Sequence, residues 1–171
     1  MNRHTTIILT LLVACLVSPA FAKSAGKISI GARQHVEHSA FNELPFVDDD
    51  ISYGLAYEGR DQNAIWQLAV TYTPELDGSE LLDYALTPQL NLLAIDRQWR
   101  TGLGILQTYV ETDTDSEWTD LYWQFLFGIN LGDPSSFDLQ IMANYVFESW
   151  SDISDFEGND IEFSVWLSFA L

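Results

Sequence analysis

Cysteine is nearly absent from this chain: the one present, Cys15, lies inside an apolar N-terminal run. Once that run is removed, the remainder can form no disulfide, no thiolate metal site and no cysteine nucleophile. Such a composition suits an oxidising compartment. Cations are scarce as well. Lysine and arginine number 7 against 25 aspartates and glutamates, for a formal net charge of −18. A chain of that sign lacks the basic footprint that nucleic acid requires. Lys23 and Lys27 are its only lysines, so its surface is not the Lys–Glu mixture that keeps ordinary acidic proteins soluble. Nor does the acidity signal disorder, because 47% of the residues are hydrophobic and disordered chains are poor in apolar residues. Beyond the start, no apolar stretch approaches the roughly 20 residues of a spanning helix.

The start itself reads as a secretory leader. Met1-Asn2-Arg3-His4 is short and basic, Ile7 to Val17 is apolar except for Thr10, and Ser18-Pro19-Ala20-Phe21-Ala22 puts small residues at Ala20 and Ala22. Cleavage is expected after Ala22, leaving 23–171 as a single domain. Leu12-Val13-Ala14-Cys15 resembles the lipobox of bacterial lipoproteins, which would make Cys15 a lipidated first residue. The apolar run continues past Cys15 into an ordinary cleavage site, and removal of 1–22 is the reading adopted.

After the leader comes period-2 alternation, repeated eight times and punctuated by turn residues. In the first run Ile28, Ile30, Ala32 and Val36 oppose Ser29, Gly31, Arg33, His35 and Glu37. In the second, Tyr53, Leu55 and Tyr57 oppose Gly54, Ala56, Glu58 and Arg60. Trp66, Leu68, Val70 and Tyr72 then oppose Gln67, Ala69, Thr71 and Thr73. Leu86, Leu90 and Leu92 oppose Thr87, Gln89 and Asn91, with Pro88 on the apolar side. Trp99, Leu103 and Ile105 oppose Arg100, Gly102 and Gly104. Trp123, Phe125 and Phe127 oppose Tyr122, Gln124 and Gly128. Leu139, Ile141, Tyr145 and Phe147 oppose Asp138, Gln140, Asn144 and Glu148, and Phe163, Val165, Leu167 and Phe169 oppose Glu162, Ser164, Trp166 and Ser168. Each run reaches the nine to eleven residues, roughly, of a tilted spanning strand.

The connections alternate in length. Gly59–Asn63, Asp96–Gln98 and Gly132–Ser135 are short; His38–Asp50, Pro74–Leu81, Glu111–Glu117 and Ser149–Asn159 are long. A soluble barrel that carries a lipophile would share the strand period, so the two faces must decide. Mid-strand, the polar face is small and uncharged, with Gly31, Gly54, Ala56, Ala69, Ala85, Gly102, Gly104 and Gly128. Such residues fit the narrow interior of an eight-stranded cylinder. The opposite face carries too much Trp, Phe, Leu and Ile to pack inside one. It is expected to meet lipid, with Tyr57, Trp66, Tyr72, Tyr84, Trp99, Tyr109, Trp123, Tyr145 and Phe147 among its interfacial aromatics. In hydrocarbon every N–H and C=O must pair, so the last strand must close on the first. Pro88 removes one ladder donor, and a local bulge is expected there.

Eight strands with alternating loop lengths resemble the small outer-membrane barrels of the OmpA-type transmembrane domain, over the whole of 23–171 and without a diagnostic motif. The resemblance implies an up-and-down transmembrane barrel whose short turns are periplasmic. Its natural partners are outer-membrane lipid and lipopolysaccharide. The final strand, Phe163 to Leu171, looks like the signal read by the barrel-assembly machinery, although it ends on Leu171 with Phe169 two places earlier.

Candidate polar residues of the interior are Arg33, His35, Glu37, Glu58, Arg60, Arg100, Asp120, Asp138, Glu148 and Glu162. They are expected to form a plug of ion pairs and hydrogen bonds, because buried charges must be paired. No cofactor and no metal centre is expected. Some barrels of this kind modify lipids with a histidine and a serine near the outer rim, which makes a site around His38-Ser39, facing Asp48, Asp49 and Asp50, the enzymatic alternative. Acidity concentrates in the long loops: Glu43, Asp48–Asp50, Glu75, Asp77, Glu80, Glu111, Asp113, Asp115, Glu117, Asp152, Asp155 and Glu157. Divalent cations or a basic partner are the ligands such a rim would attract.

Overall fold

The computed structural model describes residues 26–37, 44–61, 64–74, 82–112, 115–133 and 136–171. The leader, Cys15 and the His38-Ser39 pair lie outside them. The strands are β1 (Gly26–Gln34), β2 (Ile51–Asp61), β3 (Ala64–Pro74), β4 (Leu82–Asp96), β5 (Trp99–Leu106), β6 (Tyr109–Thr112), β7 (Ser116–Trp118), β8 (Tyr122–Asp133), β9 (Phe137–Phe147) and β10 (Ile161–Ala170). Neighbouring staves pair antiparallel, and β10 pairs with β1 from Lys27↔Ala170 to Gln34↔Phe163, which closes the sheet into a cylinder. β6 and β7 form a hairpin that prolongs β5 and β8, so the wall has eight staves.

Closure follows from the alternation already described. Residues of one parity turn inward and pack, and residues of the other parity form the outer wall. The tight-turn end needs specific backbone: Arg97 takes φ 58° in the two-residue link from β4 to β5, and Gly132, next to last in β8, takes φ 119°. A two-residue hairpin such as that at Arg97 demands positive φ. One end of the cylinder thus carries the tight turns, and the other carries the long loops.

The outer wall is greasy. Leu55, Leu92, Phe127 and Phe163 are each 55% exposed or more, and Ile28, Ile30, Tyr53, Val70, Leu103, Ile141 and Val165 share the same side. A water-soluble monomer rarely exposes more than a few hundred Å² of continuous apolar surface. This wall is apolar all round and is that of a membrane-spanning barrel. Near the turn end it carries the aromatic contacts Tyr57–Trp66 and Phe137–Phe169, and Trp99 reaches from the turn end to Phe127 at mid-wall. Near the loop end Tyr72, Tyr84, Tyr109 and Trp118 follow one another at 5.3–6.5 Å.

Two expectations need correction. Pro88 causes no bulge: β4 keeps one register against β3 throughout, and resumes the same register against β6 that it held against β5. Gln107 still donates its N–H to the Pro88 carbonyl. Only the reciprocal bond is missing, and the fifth stave breaks at Gln107–Thr108 instead of gaining a residue. The gap is filled locally, since the Gln107 side chain donates to the Thr119 carbonyl and Thr108 N–H donates to Thr119 Oγ1. The ladder irregularity that does occur lies between Leu82 and Tyr84.

The second correction concerns size. The lumen is not filled by glycine, alanine and ions alone. Ile65, Leu93, Leu126, Met142 and Trp166 point inward and pack with Ala56 and Ala69 as an apolar layer. Gly31 and Gly54 make this possible. A Cβ on Gly54 would lie 2.7 Å from the Trp166 ring, and one on Gly31 would lie 2.5 Å from it. The small residues are a cradle for one indole.

Candidate functional site in the barrel lumen

Around that apolar layer runs a continuous chain of side-chain hydrogen bonds. At the loop end, Thr73 Oγ1 lies 2.6 Å from Ser52 Oγ, and Ser52 Oγ lies 2.5 Å from His35 Nε2. His35 Nδ1 is 3.0 Å from Glu162 Oε1, while Glu162 Oε2 is paired with Arg33 Nε. All of these groups are buried. At the turn end, Arg100 makes a two-pronged contact with Glu58, with Nη1 2.7 Å from Oε1 and Nη2 3.0 Å from Oε2. Lys27 pairs with Asp138 nearby.

Three amides join the two ends. Arg33 Nη1 donates to Gln124 Oε1 at 3.1 Å, Gln124 Nε2 to Asn91 Oδ1 at 2.8 Å, Asn91 Nδ2 to Gln67 Oε1 at 2.7 Å, and Gln67 Nε2 to Glu58 Oε1 at 2.8 Å. The direction of this chain is imposed by its termini. Arginine can only donate and an ionised carboxylate can only accept, so each amide must present its oxygen toward Arg33 and its nitrogen toward Glu58. The dipoles therefore run head to tail from a buried cation to a buried anion, and each bond polarises the next. Gln140 ties in the remaining wall, donating to Ser168 Oγ at 2.5 Å and to Asp138 at 3.3 Å while accepting from Arg100.

The expected interior residues divide accordingly. Arg33, His35, Glu58, Arg100, Asp138 and Glu162 are brought together in this network. Glu37, Arg60, Asp120 and Glu148 are exposed and lie at the rims. Glu37 follows the end of β1, where its N–H is held by Asp48 Oδ1, and Glu148 follows the last residue of β9. Their parity is that of the interior, but both lie past the last residues of their strands and are exposed at the rim. Arg60 lines the vestibule of about 310 Å³ at the turn-end mouth together with Lys27, Glu58 and Arg100. Sequence reasoning missed Lys27 and gave no role to Gln67, Gln89, Asn91, Gln124 and Gln140. Their inward parity was the available signal, and partners as far apart as Arg33 and Glu162 leave no local trace.

Ser52, His35 and Glu162 have the spacing of a nucleophile, base and carboxylate. Their surroundings do not suit catalysis. Ser52 is 0% exposed, its oxygen is shared with Thr73, and Phe46 stacks on the imidazole at 3.8 Å. The adjoining space is about 10 Å³, the room of one water. Among the described residues no group of three or more His, Cys, Asp or Glu side chains converges to hold a metal ion.

A closed eight-stranded barrel with a greasy wall and a bonded polar interior is the architecture of the small outer-membrane β-barrels, and solved structures of that class match it. Neisserial surface protein A (NspA) superposes with a TM-score of 0.57 at 12% identity, over 85% of this chain and 97% of that one. The attachment invasion locus protein Ail of Yersinia pestis gives 0.42 at 15% identity, over 86% and 97%. Its structure in a phospholipid bilayer nanodisc gives 0.48 at 13%, over 87% and 100%. No protein-family model matches the sequence, and no curated protein matches it. The likeness is one of fold.

Proposed function

We propose that this chain is an integral outer-membrane protein that acts by interaction at its acidic loop end, held there by a closed and plugged barrel. The observation that carries the proposal is the imbalance between the two ends. Among the described residues the loop end displays Glu37, Asp48, Asp49, Asp83, Glu111, Asp115, Glu117, Asp120, Glu148, Asp152 and Glu157. The only arginine or lysine described there is Arg33, buried and paired with Glu162. Such a one-sign rim sets up a field that draws cations and basic partners. Divalent cations bridging it to lipopolysaccharide phosphates are one use of the field, and a basic polypeptide is another. The final strand, with Phe169 on its outer face, fits a role as the segment handled by the assembly machinery.

The lumen supports a structural reading over a conducting or catalytic one. The void among Arg33, Gln67, Asn91, Arg100 and Gln140 is about 10 Å³, and Ser52 is fully buried with Phe46 stacked on its partner His35. The test is reconstitution into lipopolysaccharide-containing vesicles. Oligolysine and magnesium should bind saturably, weaken as salt rises, and weaken again when Asp48, Asp49, Glu117 and Asp120 are neutralised to their amides. The same vesicles should show no stepwise conductance. Binding that ignores both salt and neutralisation, or a steady channel current, would overturn the proposal.

A further inference from the structure

The connection between β9 and β10 is built unlike a water-projecting loop. Two single-turn 3-10 helices, Asp152–Asp155 and Gly158–Asp160, shape it. Trp150, Ile153 and Phe156, spaced at intervals of three, all pack on the loop end of the barrel. Trp150 lies 5.5 Å from Trp123, 6.1 Å from Phe125 and 5.4 Å from Phe147, and Phe156 lies 4.9 Å from Tyr145. Ile153 packs on the same cluster. By strand parity Trp123, Phe125, Tyr145 and Phe147 belong to the outer wall, yet Tyr145 and Phe147 are only 7% and 0% exposed. The loop has folded back over the outside of the barrel and covered them.

In doing so it leaves its own aromatics open, with Trp150 53% and Phe156 51% exposed. The height of this patch identifies what meets it. From Phe137, in the turn-end aromatic pair, to Phe147 is ten residues along β9, about 33 Å of strand. At a tilt of about 40° that is about 25 Å along the barrel axis, the height of the apolar band of such barrels. The patch also continues a surface that is already lipid-facing, at the level where Trp and the other aromatics favour the headgroup boundary.

We propose that residues 148–160 form an interfacial clamp, with Trp150 and Phe156 seated at the boundary between headgroups and acyl chains of the loop-side leaflet. The carboxylates of Glu148, Asp152 and Glu157 stay on the aqueous side. This rests on the membrane-spanning reading of the wall, and the test separates the two. Single cysteines replace Trp150, Phe156, Phe127 at mid-wall and Glu117 on the β6–β7 hairpin. Each is nitroxide-labelled in dimyristoylphosphatidylcholine vesicles, after heat-modifiable gel migration confirms folding. Accessibility to oxygen and to a water-soluble nickel chelate is then read by electron paramagnetic resonance.

Positions 150 and 156 should favour oxygen over the chelate, as position 127 does, with depths near the phosphate level, while position 117 favours the chelate. If 127 reports lipid but 150 and 156 behave like 117, the loop stands in water above the membrane and the clamp is refuted. If 127 also reports water, the wall does not face lipid and the membrane reading fails first.

Discussion

Glu58 and Arg100 offer a sharp test of the lumen network. Glu58 is 2% exposed and Arg100 1%; Glu58 Oε1 accepts from Gln67, Arg100 and Gln140, and Oε2 accepts from Arg100 Nη2. Glu58→Gln sets an amide N–H against guanidinium N–H groups and strips a buried cation of its counter-charge, a loss of about 3–5 kcal/mol. Arg100→Met leaves a buried carboxylate held only by amides and should cost a similar amount, about 3–5 kcal/mol. Combining the two substitutions removes both charges, while the amide introduced at position 58 still bonds Gln67 and Gln140. The double change should therefore cost only about 1–2 kcal/mol, the worth of the lost charge-assisted bonds. The coupling energy is the shortfall from additivity, at least about 4 kcal/mol. Urea titration of the barrel refolded in phospholipid vesicles, read by heat-modifiable migration and tryptophan fluorescence, gives all four stabilities. Strict additivity, or single variants as stable as the parent, would show that the pair is not a buried unit and that the lumen is wetter than described.

Other residues lead to further expectations. Asn91→Leu breaks the amide chain at its centre and leaves Gln67 Oε1 without its donor, so stability should fall by about 1–3 kcal/mol in the same titration. Gly54→Ala drives a methyl to within 2.8 Å of both the Trp166 ring and Thr71 Cγ2. It should destabilise by about 1–3 kcal/mol and alter the near-ultraviolet circular dichroism of the buried indole. A fluorophosphonate probe should leave Ser52 unmodified in folded barrels, as judged by mass spectrometry of the peptide that contains it; labelling would revive the catalytic reading.

Much of the wall is legible in the order of residues alone. Inward and outward faces in the hydrogen-bonded staves follow from single-residue alternation, because parity is local and a barrel leaves only two directions for a side chain. Turn positions follow from Gly59–Asn63, Asp96–Gln98 and Gly132–Ser135, where apolar alternation stops. The contents of the lumen are less legible. That Gln124, Asn91 and Gln67 are consecutive links depends on strand stagger around the cylinder, which parity does not encode. Trp166 sits on the polar face, yet its partners Gly31 and Gly54 are more than a hundred residues away along the chain. Glu37 and Glu148 share parity with the interior but lie beyond the strand ends, and alternation cannot report where a stave stops. Trp150 and Phe156 read as loop residues because no period-2 run contains them. Their contact with Tyr145 and Phe147 depends on the loop doubling back, driven by apolar area that would otherwise be exposed.

The fold, the lumen network and the clamp all depend on bulky apolar side chains pointing outward into lipid. Leu55 lies near mid-wall and is 58% exposed, so the unfolding free energy of Leu55→Arg in phospholipid vesicles probes that orientation at its core. Placing a guanidinium among acyl chains should cost about 2–4 kcal/mol, with a smaller loss for the same substitution at Phe169 near the turn end. A change at Leu55 indistinguishable from zero would mean that water, not lipid, bathes the wall, and the barrel would not be a membrane-spanning one.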